Sequence, residues 1–298
     1  MASSQQASST SRPDTPRKKP SHPDAFPQQI DHAPGSEEGR CEVERLHIKV
    51  DDGPDGKVTG FLHIPNPYQP GQHNTTAAVL LSGAGGGVTG PSSMYLGIAD
   101  KLASLPNEQA MLALRLDYRY PARNKYCVPD VEAAVDYLQR ERHVEKVVLV
   151  GWSFGSAPVL TFSAQNQRVV GAALVAPQTA ETEGVYKMPP RPLLLCHGRS
   201  DRTLSFACSK NLEASYNAAD EQGKGDVKVR LFDGDDHALT RHAAESERLI
   251  TGFIMRLANV DLTAGVMKVA EADLLPKGKS EKVDLMKKGG DLKDESIE

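Results

Sequence analysis

The sequence predicts an α/β fold: an open, mostly parallel sheet with helices on both faces, entered through an antiparallel hairpin. Three observations carry that expectation. From about residue 77 to residue 260, strand-like and helix-like patterns alternate, the order that builds βαβ units. The strand-like segments in that region are continuously apolar, as strands buried on both faces are. Ahead of them, two segments alternate apolar and polar residues around a turn-rich stretch, which is the pattern of a half-buried hairpin.

Taken in order, Leu46, Ile48 and Val50 alternate with polar residues, "DDGPDG" supplies turn chemistry, and Val58, Leu62 and Ile64 alternate again. The apolar runs follow at 77–82 (AAVLLS), 111–116 (MLALRL), 146–150 (KVVLV), 169–176 (VVGAALVA), 192–197 (PLLLCH) and 227–232 (VKVRLF). Val131, Ala134, Val135 and Leu138 keep the i, i+3, i+4, i+7 spacing of a helix, with Pro129 placed as a first-turn proline. Ile250, Phe253, Ile254 and Leu257 repeat that stripe in what reads as the last helix.

The flanks differ in composition. Residues 1–40 are Ser, Gln, Pro and charge with almost no large apolar side chains, so a disordered tail is expected there. Residues 261–298 end in "PKGKSEKVDLMKKGGDLKDESIE", which reads as a second charged and flexible tail. That leaves one domain at 41–260. A chain of 298 residues that is 39% hydrophobic can build one sizeable core, whereas two would each be small.

A net charge of −4 and a pI near 6.2 offer no bulk attraction to nucleic acid or to an anionic membrane surface. Small-molecule or protein partners are expected, with no nucleic acid, no membrane span and no cofactor. Cys41, Cys127, Cys196 and Cys208 are scattered without metal-binding spacing and read as reduced thiols. No apolar run approaches the roughly 20 residues that span a bilayer, and no secretory signal is visible. The Ser-rich opening resembles an organellar transit peptide, but Asp14, Asp24 and Asp31 depart from that acid-poor pattern. The cytoplasm is the expected location.

In an open parallel sheet, ligands bind beyond the carboxyl ends of the strands. Five strand ends here carry notable residues: "GAGGGVTGPSS" after 77–82, Asp117, "GWSFGS" after 146–150, "HGRSD" and "DGDDH". "GWSFG" matches GxSxG, a turn so sharp that its central residue is strained and its side chain projects clear. Larger side chains at Gly151 and Gly155 would collide with their neighbours. A turn can hold a serine for its size alone; the position between a strand and a helix-compatible segment favours Ser153 as a nucleophile. A hydroxyl becomes nucleophilic only when a base takes its proton and an acid orients that base. His237, in a short polar loop after the last strand, is the expected base. His242 reads as a helix start and His197 as a structural residue. Asp201 is the expected acid, because Asp235 and Asp236 are too near His237 in sequence to face its far nitrogen. The oxyanion donors are expected to be the backbone amides of Phe154 and Ala84. Gly83 and Gly85 would let substrate approach the backbone, and Trp152, Tyr95 and Tyr118 would line the pocket or pack in the core.

On "SGAGGG", "GWSFGS", "HGRSD" and "GDDHAL", in the chain order Ser153, Asp201, His237, the segment from about residue 77 to residue 257 resembles an α/β-hydrolase. Ser82 stands where that family more often has histidine. The 14-residue stretch 178–191 lies between two strands at the place where lipases insert a lid. The chain is therefore similar to the compact branch without a cap domain, that of dienelactone hydrolases and small serine esterases or thioesterases. Unlike dienelactone hydrolases, it holds serine and not cysteine at the position that the resemblance implies for the nucleophile. The resemblance implies a serine hydrolase that cleaves an ester or thioester through an acyl-enzyme, with a peptidase or amidase of the same fold as the alternative.

Other readings compete for the same residues. Gly85, Gly87 and Gly90 spell GxGxxG, and Asp117 ends the next strand as a ribose-binding acid would. Pro91 fits that reading poorly, and the three later motifs stay unexplained. A P-loop fails because no Lys-Ser or Lys-Thr follows the glycines. His197, Asp201 and His237 could face a metal but form no compact ligand motif. A catalytically silent hydrolase-fold scaffold would keep the fold without the chemistry.

Overall fold

The computed structural model describes residues 30–37, 40–52, 56–218, 226–293, 295 and 297. The chain opens with the hairpin β1 (Cys41–Lys49) and β2 (Lys57–Pro65), followed by β3 (Thr76–Leu81), α1 (Met94–Ala103), β4 (Ala113–Asp117) and α2 (Asn124–Arg142). It continues with β5 (Lys146–Trp152), α3 (Ser156–Gln165), β6 (Val169–Val175), the single turn α4 (Gly184–Lys187), β7 (Leu193–Gly198) and α5 (Ala207–Ala218). Strand β8 (Val227–Phe232) and helices α6 (Ala243–Leu257), α7 (Ala264–Ala270) and α8 (Lys279–Gly289) complete it.

All eight strands form one sheet in the order β1-β2-β4-β3-β5-β6-β7-β8. Strand β2 is antiparallel to both β1 and β4, and every other pairing is parallel. The continuous apolar runs are explained by the pleat. Val79 and Leu81 of β3 join the core beneath α2 and α3, while Ala78 and Leu80 join the opposite core beneath α1 and α6. With each such aliphatic side chain stabilising by about 1.5–3 kcal/mol when fully buried, the two layers hold the strand ends rigidly. The β6–β7 connection carries only α4, so among the described residues no cap domain is inserted there.

Two local expectations change, and the choice between pocket and core closes for three aromatic residues. Strand β8 is an edge strand whose Lys228 and Arg230 are exposed in alternation, so it is not buried on both faces. Helix α2 begins at Asn124, which puts Pro129 in its sixth position instead of its first turn. Tyr95, Tyr118 and Trp152 are 0%, 1% and 0% exposed and are core residues, not an open pocket wall.

The flanks are the larger departure. Residues 1–29 lie outside the described residues, but Ile30 and Ala33 are buried and the Asp31 carbonyl accepts from the Arg115 guanidinium at 2.8 Å. Instead of a flexible tail, residues 261–293 contain α7 and α8. Thr263 caps α7 by accepting the Val266 N–H at 3.3 Å. Helix α8 buries Lys282, Leu285, Met286 and Gly289, one face at helical spacing. A lysine and a glycine at the ends of that stripe hide it from any reading of hydropathy.

Candidate active site

Strand β5 turns into α3 through residues 153–155, and Ser153 takes φ 52°, in the left-handed region that a non-glycine residue occupies only under constraint. The constraint is visible in the two flanking glycines. A Cβ at Gly151 would lie 2.6 Å from the Gly155 carbonyl oxygen, and one at Gly155 would lie 2.6 Å from the Ser82 carbonyl oxygen. The turn therefore packs directly on the end of β3. The Ser153 carbonyl accepts the Ser156 hydroxyl at 2.7 Å, which pins the elbow from below.

Asp201, three residues beyond β7, is buried and accepts four hydrogen bonds. Its Oδ1 takes the N–H groups of Thr203 (2.9 Å) and Leu204 (2.8 Å), and its Oδ2 takes His237 Nδ1 (2.7 Å) and His197 Nε2 (3.1 Å). Burial works against its charge, but these donors outweigh it and hold the carboxyl well below the usual range. His197, expected to be structural, is bonded to the same oxygen as His237 and is itself held by Ser209 Oγ at 2.8 Å. Nothing in "HGRSD" alone distinguishes that contact from an ordinary buried histidine.

His237 is 1% exposed and stacks at 5.5 Å on Trp152, whose indole N–H donates to the His237 carbonyl at 3.1 Å. Its loop is shaped by the two aspartates set aside as acids. Asp236 accepts from the Ala238 and Thr240 amides and the Thr240 hydroxyl, and Asp235 accepts from the Arg241 and His242 amides and His242 Nδ1. Burial disfavours the charged imidazole, yet the carboxylates of Asp201 and Glu295 push it up to about 9. Among the described residues His237 Nε2 has no hydrogen-bonded partner. Glu295 Oε2 lies 3.4 Å from it, an ion-pair distance without hydrogen-bond alignment.

The loop after β3 runs past the elbow. Its Ala84 N–H donates to Glu295 Oε1 at 2.7 Å, and Phe154, whose amide was expected beside it, is buried against Tyr118 with ring centroids 6.0 Å apart. Asp117 spends its carboxylate on the Gly87 N–H (2.8 Å), and a 3₁₀ turn at Pro91–Ser93 follows the glycines, so the dinucleotide reading of GxGxxG has neither its acid nor its helix. Ser82 donates to Asp291 Oδ1 at 2.5 Å. Asp291 and Glu295 are the site residues that sequence reasoning missed.

A different cluster has metal-compatible atoms: His32, Cys41, His63 and Asp100 place one ligand atom each within 4.8 Å of one another. Its protons fit a hydrogen-bonded hub instead. The Arg115 Nε–H donates to His63 Nε2 (2.9 Å), so neutral His63, pushed down to about 4 chiefly by burial, carries its proton on Nδ1 and donates it to Asp100 (3.0 Å). A metal at Nδ1 would need the lone pair that this tautomer lacks. His32 Nδ1 (2.8 Å) and the Ala33 N–H (2.5 Å) complete the hub and tie residues 30–33 to the fold.

Comparison with known proteins agrees with this architecture. Est1E from Butyrivibrio proteoclasticus superposes with a TM-score of 0.56 at 16% identity, over 72% of this chain and 99% of its own. Dienelactone hydrolase from Anabaena variabilis gives 0.56 at 16%, over 73% and 98%. XC6422 from Xanthomonas campestris, an α/β serine hydrolase without a lid, gives 0.54 at 16%, over 73% and 94%. No curated protein matches the sequence. The fold is thus that of an α/β hydrolase. The sequence profile of the dienelactone hydrolase family matches residues 95–253, more than half of the chain, and the chain belongs to that family.

Proposed function

We propose that this hydrolase uses Ser153 as its nucleophile and cleaves a carboxylic ester or thioester through an acyl-enzyme. The observation that carries the reading is the strained, glycine-enforced elbow of Ser153, with a buried His237–Asp201 pair on the neighbouring strand ends. In this scheme neutral His237 accepts the Ser153 proton at Nε2 as Oγ attacks the carbonyl carbon. The Ala84 and Phe154 amides hold the oxyanion, and the leaving group departs with the proton from His237. Water then attacks the acyl-serine by the same route and releases the acid. Asp201, bonded to Nδ1, keeps the accepting lone pair on Nε2 and stabilises the imidazolium once it forms. The absence of a cap domain suits short or polymer-attached acyl groups, and the four free cysteines suit a reducing compartment such as the cytoplasm.

A fluorophosphonate probe tests this. It should label the wild type and leave Ser153→Ala unlabelled; an unreactive wild type would instead favour a scaffold without catalysis.

A further inference from the structure

Two groups the proposed chemistry needs, the Ala84 N–H and the His237 ring, both face the Glu295 carboxylate. Glu295 Oε1 accepts the Ala84 N–H at 2.7 Å, and Glu295 Oε2 stands 3.4 Å from His237 Nε2. The Glu295 side chain is 3% exposed. This is no stray terminus, because the chain is fastened four residues earlier. Asp291 is fully buried and accepts the Ser82 hydroxyl (2.5 Å), the Thr89 hydroxyl (2.7 Å) and the amides of Thr89 (3.1 Å) and Gly90 (2.8 Å). Lys282 Nζ donates to the Thr240 carbonyl at 2.8 Å, and Lys279 Nζ to Asp236 at 3.0 Å, so α8 also grips the loop that carries His237. The glycine loop is cut to receive the segment: a Cβ at Gly83 would collide with Glu295, and one at Gly87 with Asp291.

Resting on the hydrolase reading above, we propose that Glu295 is a built-in competitor for the active site. The Glu295 carboxylate occupies the oxyanion position and faces the general base, and turnover requires that it withdraw while the Asp291 anchor holds. A carboxylate bound this way resembles the acid that ester cleavage leaves behind. It silences the site twice: it fills the place of the substrate carbonyl, and it favours the protonated His237 that cannot take the Ser153 proton. The groups facing that ring are Asp201 at Nδ1, Glu295 at Nε2 and the Trp152 indole.

The test uses the full chain with Glu295→Ala and Glu295→Gln, read out by the rate of fluorophosphonate labelling and by NMR titration of the His237 ring. If the docked state is favoured ten to one, Glu295→Ala should label about tenfold faster. His237 should titrate at lower pH in both variants, with Glu295→Gln, which keeps the acceptor but loses the charge, labelling at an intermediate rate. Labelling at the wild-type rate with an unmoved titration overturns the competitor and leaves the hydrolase reading standing. A titration that moves while no form of the protein labels upholds the docked carboxylate and sinks the hydrolase reading.

Discussion

The elbow at 151–155 and the carboxylates of Asp291 and Glu295 both meet the loop after β3, but they do so with opposite chemistry. The elbow uses backbone: two glycines whose missing side chains let Ser153 be forced to φ 52°. The C-terminal segment uses side chains, two carboxylates buried against backbone and hydroxyl donors. A backbone device demands particular residue types at fixed spacing and so leaves a motif. A buried carboxylate can be satisfied by donors anywhere in the chain and leaves none.

The largest effects should come from the elbow side. Ser153→Ala and His237→Ala should each lower kcat/KM on a short p-nitrophenyl ester on the order of 10⁴-fold or more, since the members act as one unit. Asp201→Asn should cost about 10³- to 10⁴-fold, because it frees the His237 tautomer, while Asp236→Asn, a loop-shaping change, should cost little. Equal losses for the two aspartates would mean that the base is oriented by another acid.

On the other side, Asp291→Ala should lower stability before it touches chemistry. It strands the Ser82, Thr89 and Gly90 donors, and a buried unpaired donor costs about 1–3 kcal/mol. A melting temperature equal to wild type would show that the anchor is dispensable and would break the contrast drawn above.

A finer effect is the pH profile. His237 is raised to about 9 with Glu295 docked, and only its neutral form accepts a proton. Activity of the wild type should therefore rise with pH toward about 9, and the rising limb should move to lower pH in Glu295→Ala. The linked stability has the matching sign: the raised value makes the imidazolium–carboxylate contacts stabilising below the ordinary histidine range and lost as pH climbs through about 9. A limb that stays in place in Glu295→Ala would separate the carboxylate from the base.

The strands, their parallel arrangement and the elbow were legible because each follows from a local rule: pleat, periodicity, or a steric need for glycine. The pairing of Asp201 with His237 was legible because few polar residues follow the strand ends. The α8 face was not, since Lys282 and Gly289 bracket Leu285 and Met286 and a buried lysine stem counts as polar in any hydropathy pattern. Tyr95 stayed open between pocket and core because the Leu81 carbonyl that its hydroxyl bonds is a partner that only the fold supplies. Asp291 and Glu295 sit in a charged run that reads as solvated, and their burial depends on donors that only the fold brings to them.

The most direct measurement is rapid quenching of a p-nitrophenyl ester reaction followed by peptide mass spectrometry. The account predicts the acyl group on the hydroxyl of Ser153, accumulating in a burst and absent in Ser153→Ala. An acyl group found elsewhere, or turnover that persists in Ser153→Ala, would contradict it.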